Sequence, residues 1–250
     1  MRDVTLYCLC YKDREYKNFQ FNQKNIMCGS VNYDINYKKK IQQKNYILDE
    51  EGDNISYLNS FFGQLCGLYW SWKNDNSEWV GTNVYRLFWN NYELLSKEKK
   101  DNVIYIPKSL DIKDPINDQI VGKKILNLYD QYIFYHGSVG LELLYKVSDT
   151  SITPEMIDTL KKQDHIHPYN MFITNRKLYN KLCEILFEIL FEFYNKYQYI
   201  LSDIQKQQNQ IRLIDYLSER ILHIIYTHKS YFFTGIEFEE ISIQKFNYND

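Results

Sequence analysis

The chain has 250 residues, with 30 Lys and Arg against 32 Asp and Glu, and a formal net charge of −2. Because no excess of basic side chains is available to neutralise phosphates, this balance excludes nucleic-acid binding driven by overall charge. The longest apolar run, at residues 185–193, is interrupted by Glu188 and Glu192. It falls short of the roughly 20 apolar residues that a membrane span needs.

The first residues, MRDVTLYCLCYKDRE, predict a buried, parallel strand over residues 3–11, because a nearly continuous apolar run ends at Lys12 and Asp13. Charges follow this run at once, which favours a first strand over a signal peptide. The five cysteines are scattered and form no C-x-x-C pair. We therefore expect reduced thiols and a cytoplasmic protein.

Further along the chain, apolar periodicity predicts strands that alternate with helices. Residues 12–52 are polar and mixed, and we expect loops with short strands there. Apolar residues recur at helical spacing from Leu58 to Lys73, and Thr153-Pro154-Glu155 is a typical helix start. Further strands are predicted over 78–85, 102–106 and 170–174, helices within 115–147 and over 176–197 and 210–226, and a closing strand or extended arm over 232–243. Short apolar strands alternating with helices indicate an α/β fold.

Several common catalytic motifs do not occur in this sequence. It contains no G-x-G-x-x-G, G-x-x-x-x-G-K-[ST], G-x-S-x-G or H-E-x-x-H, which removes the usual dinucleotide, P-loop, hydrolase-elbow and zincin interpretations. The D-x-D motif, with which many sugar-nucleotide transferases hold a divalent metal, is also absent. The remaining candidates are short segments whose pattern allows more than one interpretation.

Two of these segments lie close together in the first third of the chain. In GDNIS, residues 52–56, Asp53 and Asn54 could bond to a ribose or a base edge, or could cap the helix that follows. In GLYWSWKN, residues 67–74, Trp70, Trp72 and Lys73 could stack on a ring and neutralise a diphosphate. Aromatic residues at helical spacing usually belong to a hydrophobic core, so packing is the leading interpretation from the pattern alone.

Three further segments carry candidate polar side chains. Arg86 follows a predicted strand, where ligands of open α/β sheets collect, and is either a phosphate ligand or a solvated residue. Asp164, His165 and His167 could bind a metal or perform acid–base chemistry, or could be ordinary loop residues. Glu219 lies in a predicted helix beside arginines, where a surface ion pair is the default interpretation.

Four segments resemble, in order and spacing, the bacterial polysaccharide-synthesis family known as domain of unknown function 4422: GDNISYLNSFFGQLCGLYWSWKN, WVGTNVYRLFW, HPYNMFITNRKLYNKLCEILFEILFEF and IRLIDYLSERIL. The resemblance extends over residues 4–227, and GDNIS with YWxWKN is its most specific part. Members are regarded as glycosyltransferases of capsule, exopolysaccharide or lipopolysaccharide synthesis. The resemblance implies an α/β, GT-A-like (Rossmann-like) nucleotide-diphospho-sugar transferase fold with a mixed central sheet and C-terminal helices.

The resemblance also implies a donor site at the carboxyl ends of the strands. The residues that would bind the nucleotide-diphosphate sugar are Tyr11, Lys12, Asp53, Asn54, Ile55, Tyr69, Trp72, Lys73, Tyr85 and Arg86. Tyr85 and Arg86 stand where metal-dependent relatives carry D-x-D. Lys73 and Arg86 would then neutralise the departing diphosphate without a metal. No cofactor is certain, and a divalent Mn or Mg ion is compatible with the sequence but not expected.

On the acceptor side, the resemblance implies roles for four residues. His165, His167 and Asn170 would face a glycan or lipid-linked acceptor, and Glu219, which keeps the family's Glu-Arg pair, would be the general base. Residues 1–110 would form the nucleotide-sugar half and residues 111–250 the mainly helical acceptor half of one domain. We expect no nucleic-acid partner and no membrane span, and peripheral contact with a membrane is compatible with the sequence.

Two positions depart from the family pattern. The family's HYRR reads VYRL here, so that Val84 replaces a histidine, and its CELT reads GQLC, so that Gln64 replaces an acid. The sequence is compatible with three functions, and these two departures motivate the second. The first is a glycosyltransferase, and the second is a catalytically diverged carbohydrate- or partner-binding protein on the same fold. The third is a metal-dependent hydrolase built on Asp164, His165 and His167.

Overall fold

A computed structural model describes residues 3–13, 21–85, 87–112, 125–147, 151–208 and 212–245, without the side chains of residues 207, 208 and 245. The chain forms two compact units. The sheet unit comprises Met1–Lys108, Tyr169–Cys183 and Gly235–Asp250, and the helical unit comprises Ser109–Pro168 and Glu184–Thr234. The division of roles between residues 1–110 and 111–250 stays a prediction.

The sheet unit is built on a mixed sheet of nine strands within the described residues. The strands are β1 (Thr5–Cys10), β2 (Asn22–Met27), β3 (Tyr46–Leu48), β4 (Trp79–Val84), β5 (Leu87–Trp89), β6 (Val103–Pro107), β9 (Ile173–Asn175), β10 (Glu237–Ile241) and β11 (Ile243–Lys245). Seven follow the order β10-β6-β9-β4-β1-β2-β3, and β5 pairs with β4 and β11. β1 is parallel to β2 and β4, whereas β9 is antiparallel to β4 and β6.

The first strand is central in this sheet, as its apolar sequence predicts. All six residues of β1 are buried, and Thr5 lies beside Asn22 on one side and Val80 on the other. A strand that is paired on both edges and covered on both faces is typically a nearly continuous apolar run. All five cysteines of the chain are buried and free, in agreement with the expected reduced thiols.

The helices of the sheet unit differ from the prediction at two places. They are α1 (Ile35–Gln43), α2 (Asn59–Phe62), α3 (Leu65–Asn74), α4 (Asn91–Ser96) and the start of α8 (Arg176–Gln208). The single helix predicted from Leu58 to Lys73 is wrong, because Gly63, at φ 51, separates α2 from α3. Prediction also missed α1, which the Asp34 side chain caps and of which Ile41 alone is buried. One buried residue leaves no apolar periodicity to detect.

The helical unit contains the remaining helices and a short antiparallel pair. Its elements are β7 (Leu110–Asp111), α5 (Leu128–His136), α6 (Val139–Val147), α7 (Pro154–Asp158), β8 (His165–Ile166), the rest of α8, α9 (Leu213–Thr227) and α10 (Lys229–Phe232). The Thr153 hydroxyl accepts from the Met156 amide and caps α7, as predicted. The predicted helical positions 115–124 and 210–211 lie outside the described residues. In the described ranges, no helix is long and apolar enough to cross a bilayer.

Candidate functional site

Two side chains of α3 hold the loop that follows β3. The Trp70 indole donates to the Glu51 carbonyl at 2.7 Å. The Asn74 amide accepts from the Asp53 amide at 3.0 Å and donates to the Asp53 carbonyl at 2.8 Å. Gly52 has φ +70, and a Cβ there would lie 2.2 Å from the Asn74 Oδ1 atom. Glycine is therefore required at this position. These contacts bind the GDNIS loop to the GLYWSWKN helix.

The same loop and helix form an aromatic–lysine cluster of Asp53, Tyr69, Trp72 and Lys73. The Tyr69 hydroxyl donates to the Asp53 carboxylate at 3.2 Å. Tyr69 and Trp72 meet edge to face with ring centroids 5.6 Å apart, and the Lys73 ammonium lies 3.5 Å from the Trp72 ring centroid. Burial, with help from Asp53, raises the pKa of Tyr69 to about 12, so its hydroxyl keeps its proton. The Lys73 charge is engaged by an aromatic face.

The side chains of α3 differ in burial, and Trp70 is partly exposed like Trp72. Leu65 and Cys66 are fully buried, and Trp70 packs edge-on against Tyr7 of β1, with ring centroids 6.1 Å apart. On the other face, Trp72 is partly exposed and Lys73 is exposed. The helix thus combines a core face with a face that is accessible to a ligand.

The last turn of α3 lies at the amino edge of the sheet. Asp75 directly follows this helix and accepts from the Ser77 hydroxyl at 2.9 Å. The Ser77 hydroxyl also lies 2.8 Å from that of Thr5, the first residue of β1. Because Lys73 and Asn74 immediately precede Asp75, the aromatic–lysine cluster lies towards the amino ends of β1 and β4.

A second group, the tyrosine cluster, lies at the opposite, carboxyl edge. Tyr11 and Tyr85 follow β1 and β4, and their rings meet edge to face with centroids 5.5 Å apart. The Tyr33 hydroxyl donates to the Tyr11 carbonyl at 3.0 Å, and Tyr33 packs against Tyr37 with centroids 5.0 Å apart. All four tyrosines are partly exposed. They present aromatic and hydroxyl groups where ligands of open α/β sheets collect.

Sequence reasoning named only half of the tyrosine cluster. Tyr33 and Tyr37 were missed, although their i,i+4 spacing around the α1 cap at Asp34 could have indicated them. Lys12 directly follows Tyr11 and is exposed. Arg86, the predicted phosphate ligand, lies outside the described residues.

A buried carboxylate organises the loops beside the tyrosine cluster. Asp49 is fully buried and accepts from the Gly29 amide at 2.7 Å, the Ser30 amide at 2.8 Å and the Ser30 hydroxyl at 2.7 Å. It also accepts from the Ser56 hydroxyl at 2.6 Å. The amides of Gly29 and Ser30 could otherwise bind an anion, but Asp49 already supplies one.

Asn54 and Ile55 make contacts that stabilise their own loop. The Asn54 side chain donates to the Glu50 carbonyl at 2.9 Å and accepts from the Ser56 amide at 3.2 Å. Ile55 is buried, and its carbonyl accepts from the Cys66 thiol at 3.3 Å. The bond from the Ser56 amide closes a turn within GDNIS, but the helices that follow, Ser56–Leu58 and α2, have no side-chain cap, so the capping interpretation is wrong. Contact of Asn54 and Ile55 with a nucleotide stays a prediction.

In the helical unit, Glu219 lies in an unusual environment for a carboxylate. Its side chain is 21% exposed, and its nearest charged partner is Arg220, whose guanidinium lies 4.0 Å away. Burial raises the pKa of Glu219 to about 7, and the charge of Arg220 opposes this rise. A carboxyl group with this pKa can exchange a proton near neutral pH, which is the property that a general base needs.

The predicted acceptor-side histidines gather around a third histidine that the prediction missed. His223 lies one helical turn after Glu219 on α9, with its ring centroid 5.5 Å from that of His167 and 6.0 Å from that of His165. The His167 amide donates to His223 Nδ1 at 3.4 Å, so the proton of the neutral ring is assigned to Nε2, which lies 2.7 Å from Gln163 Oε1. Burial first, and then the nearby His167, His165 and Arg220, lower the pKa of His223 to about 3.

This neutral histidine predicts a pH-dependent stability. Between the unfolded pKa of His223 near 6.5 and its folded pKa near 3, the folded state binds fewer protons than the unfolded state. The stability that depends on neutral His223 is therefore lost as pH falls through this range. Glu219 has the opposite effect, because its pKa is raised from 4.5 to about 7 and the stability that it contributes is lost as pH rises through this range. We expect the stability difference between wild type and His223→Gln to shrink by about 2 kcal/mol from pH 7.5 to pH 5, measured by urea unfolding. A difference that stays constant with pH would contradict this assignment.

Asn170 is the one acceptor-side candidate of the prediction that does not belong to the helical unit. It belongs to the sheet unit, where it is fully buried and its carbonyl accepts from the Thr82 hydroxyl at 2.8 Å. Its role towards an acceptor stays a prediction. Within the described part of the chain, no group of three or more His, Cys, Asp or Glu side chains is placed to hold a metal ion.

Comparisons with known proteins agree with this architecture. Among solved structures, the chain is similar to one described as the WbbM bifunctional glycosyltransferase in its apo state, with a TM-score of 0.70 and 21% sequence identity. The similarity covers 97% of this chain and 45% of that chain, so this chain spans less than half the length of that protein. At this identity the likeness confirms the fold. No curated protein sequence matches the chain.

The family resemblance is confirmed independently of the fold. The model of the family described as "Domain of unknown function (DUF4422)" matches residues 12–230, which is most of the chain. This range includes the tyrosine and aromatic–lysine clusters except Tyr11, and it includes the surroundings of Glu219. The chain belongs to the family of domain of unknown function 4422.

Proposed function

We propose that this protein is a glycosyltransferase that moves a sugar from a nucleotide-diphosphate donor to a glycan or lipid-linked acceptor in surface-polysaccharide or glycoconjugate synthesis. The observation that carries the proposal is the tyrosine cluster at the carboxyl edge of β1 and β4, on a fold similar to that of a glycosyltransferase. Parallel strands that end side by side create a crevice for nucleotides at this edge.

In this proposal the donor binds at the carboxyl edge. Tyr11 and Tyr85 contact the base or ribose, and Lys12 neutralises part of the diphosphate through charge-assisted hydrogen bonds. Arg86 directly follows Tyr85 and is proposed to add a second cation. A six-residue strand such as β1 is roughly 17 Å long. The contacts of Lys73 near the amino edge therefore favour a packing role for it, and its role as a donor ligand stays a prediction.

The acceptor chemistry is proposed to use Glu219 as the general base. The acceptor hydroxyl gives its proton to the Glu219 carboxylate while its oxygen forms a bond to the sugar carbon. The bond from that carbon to the diphosphate oxygen breaks, and the nucleotide diphosphate leaves with the electron pair. The raised pKa of Glu219, near 7, supports this assignment because general bases work best near the operating pH.

Donor binding is tested by isothermal titration calorimetry with UDP, GDP and dTDP sugars. We expect one of these classes to bind wild type, and Lys12→Met to weaken that binding about tenfold by removing a charge-assisted contact. Lys39→Met, at an exposed position of α1, is the matched control. A loss confined to Lys73→Met would instead support the predicted donor role of the aromatic–lysine cluster. Binding of none of these sugars would contradict the proposal.

The second candidate is a carbohydrate- or partner-binding protein that keeps the fold without the chemistry. It is favoured by Val84, which stands where the family pattern has a histidine and whose side chain is buried in the hydrophobic core of the sheet unit. Release of free nucleotide in the presence of an acceptor would exclude this candidate. Glycan binding without such release would support it.

A further inference from the structure

The cation beside Glu219 is almost completely buried. Arg220 lies on α9 and is 5% exposed. One of its terminal nitrogens donates to the Gln131 side-chain oxygen at 2.7 Å, and another lies 4.0 Å from the Glu219 carboxylate. Its Nε atom is buried without a hydrogen-bond partner among the described residues. A buried guanidinium with incomplete hydrogen bonding is costly, so its retention calls for a reason beyond packing.

Gln131 is a partner that fixes the guanidinium without neutralising it. It lies on α5, whose start is capped by the Asn127 side chain, which accepts from the Asp130 amide at 2.8 Å. A carboxylate at this position would form an ion pair with Arg220 and compete with Glu219. The neutral amide leaves the full positive charge available to the carboxylate of Glu219.

Three titratable groups beside Arg220 are neutral at neutral pH. Burial, and in smaller part the charge of Arg220, lower the pKa of His136 to about 4. The same two causes contribute to the low pKa of His223. The Tyr132 ring lies 5.8 Å from the guanidinium, and burial raises the pKa of its hydroxyl far above neutrality. Arg220 is therefore the cation beside Glu219, and the acids on the elements that carry Glu219 and Gln131 are Asp215, which is buried one turn earlier on α9, and Asp130 of α5.

We infer that Gln131 and Arg220 are positioning residues that keep the Glu219 carboxylate able to accept the acceptor proton. Arg220 stabilises the ionised carboxylate against burial, and Gln131 holds the guanidinium in place. The inference rests on the proposed function for the purpose of Glu219. The arrangement itself can be measured without turnover.

The test is an NMR pH titration of the full chain labelled with ¹³C at the glutamate carboxyl carbons, with the Glu219 signal assigned from the Glu219→Gln spectrum. In Arg220→Met we expect the proton affinity of Glu219 to rise about tenfold or more, because burial then acts unopposed. Arg220→Lys should restore most of the wild-type value. Gln131→Glu should shift the affinity in the same direction as Arg220→Met, since the new carboxylate draws on the same cation.

Lys206→Met is the matched control, because it removes an exposed cation with a carboxylate partner in the helical unit and should leave the Glu219 titration unchanged. If Arg220→Met does not fold, Gln131→Glu still tests the inference. An unchanged Glu219 titration in the folded Arg220 or Gln131 variants would overturn it, even if the wild type proves to be a transferase. If the titration shifts as expected but the wild type shows no turnover, the inference is supported and the proposed function is contradicted.

Discussion

Replacing Glu219 by Gln is expected to lower turnover at least about 100-fold and to leave binding of the nucleotide sugar unchanged. The amide keeps the size of the side chain but cannot accept the acceptor proton, and a positioned general base typically contributes a factor of about 10²–10⁴ to the rate. Turnover is measured as nucleotide released in the presence of an acceptor, and binding is measured by calorimetry.

Glu188→Gln is the matched control for this prediction, because Glu188 is an exposed glutamate of α8 in the same unit. It should retain wild-type turnover and wild-type binding. If Glu219→Gln turned over as fast as wild type, Glu219 would be excluded as the base. If Glu219→Gln also bound the nucleotide sugar weakly, its low turnover would be attributed to a disturbed structure and not to the loss of the base.

Arg176→Met is expected to give the largest loss of stability, about 3 kcal/mol in the free energy of unfolding. Arg176 forms an ion pair with Asp75, whose side chain is 6% exposed, and donates from Nε to the Ser77 carbonyl at 3.0 Å. Lys24, at 4.0 Å, is the other cation near Asp75. Breaking a buried pair leaves a carboxylate with too little compensation, which typically costs about 3–5 kcal/mol. Urea unfolding measures the change.

The matched control is Lys206→Met, because Lys206 lies 3.9 Å from Asp203 and both side chains are more than two-thirds exposed, at 78% and 71%. An exposed pair of this kind is worth less than about 1 kcal/mol. The double variant Arg176→Met with Asp75→Leu should lose less than the sum of the two single changes, because no unpaired charge remains. Equal losses in Arg176→Met and Lys206→Met would contradict this account of the buried pair.

The parts of the fold that local pattern determines were predictable. After Thr5, β1 is apolar and fully buried, and the cap at Thr153 with Pro154 marks the start of α7. α1 was not predictable in this way, because its Asp34 cap precedes a polar helix with one buried residue. The break at Gly63 was missed because apolar spacing continues across it. The start of α1 depends on a side-chain cap and the break at Gly63 depends on a backbone conformation, and apolar periodicity detects neither of them.

The candidate site was predictable only in part, because its decisive contacts join residues far apart in sequence. In GLYWSWKN, the bonds from Trp70 and Asn74 to the backbone of Glu51 and Asp53 are such contacts. Likewise, nothing in the pattern around residue 131 indicates that Gln131 meets Arg220, 89 positions later. The family resemblance indicated Glu219, but its burial and its neighbours depend on tertiary contacts that the sequence does not show.

A structure of the protein with a bound nucleotide diphosphate tests the central claim most directly. The account predicts the base and ribose against Tyr11 and Tyr85 at the carboxyl ends of β1 and β4, with the diphosphate within reach of Lys12. A nucleotide bound instead against Trp72 and Lys73, near the amino edge, would contradict this placement. Failure of every nucleotide diphosphate to bind would contradict the claim that the protein uses a nucleotide-sugar donor.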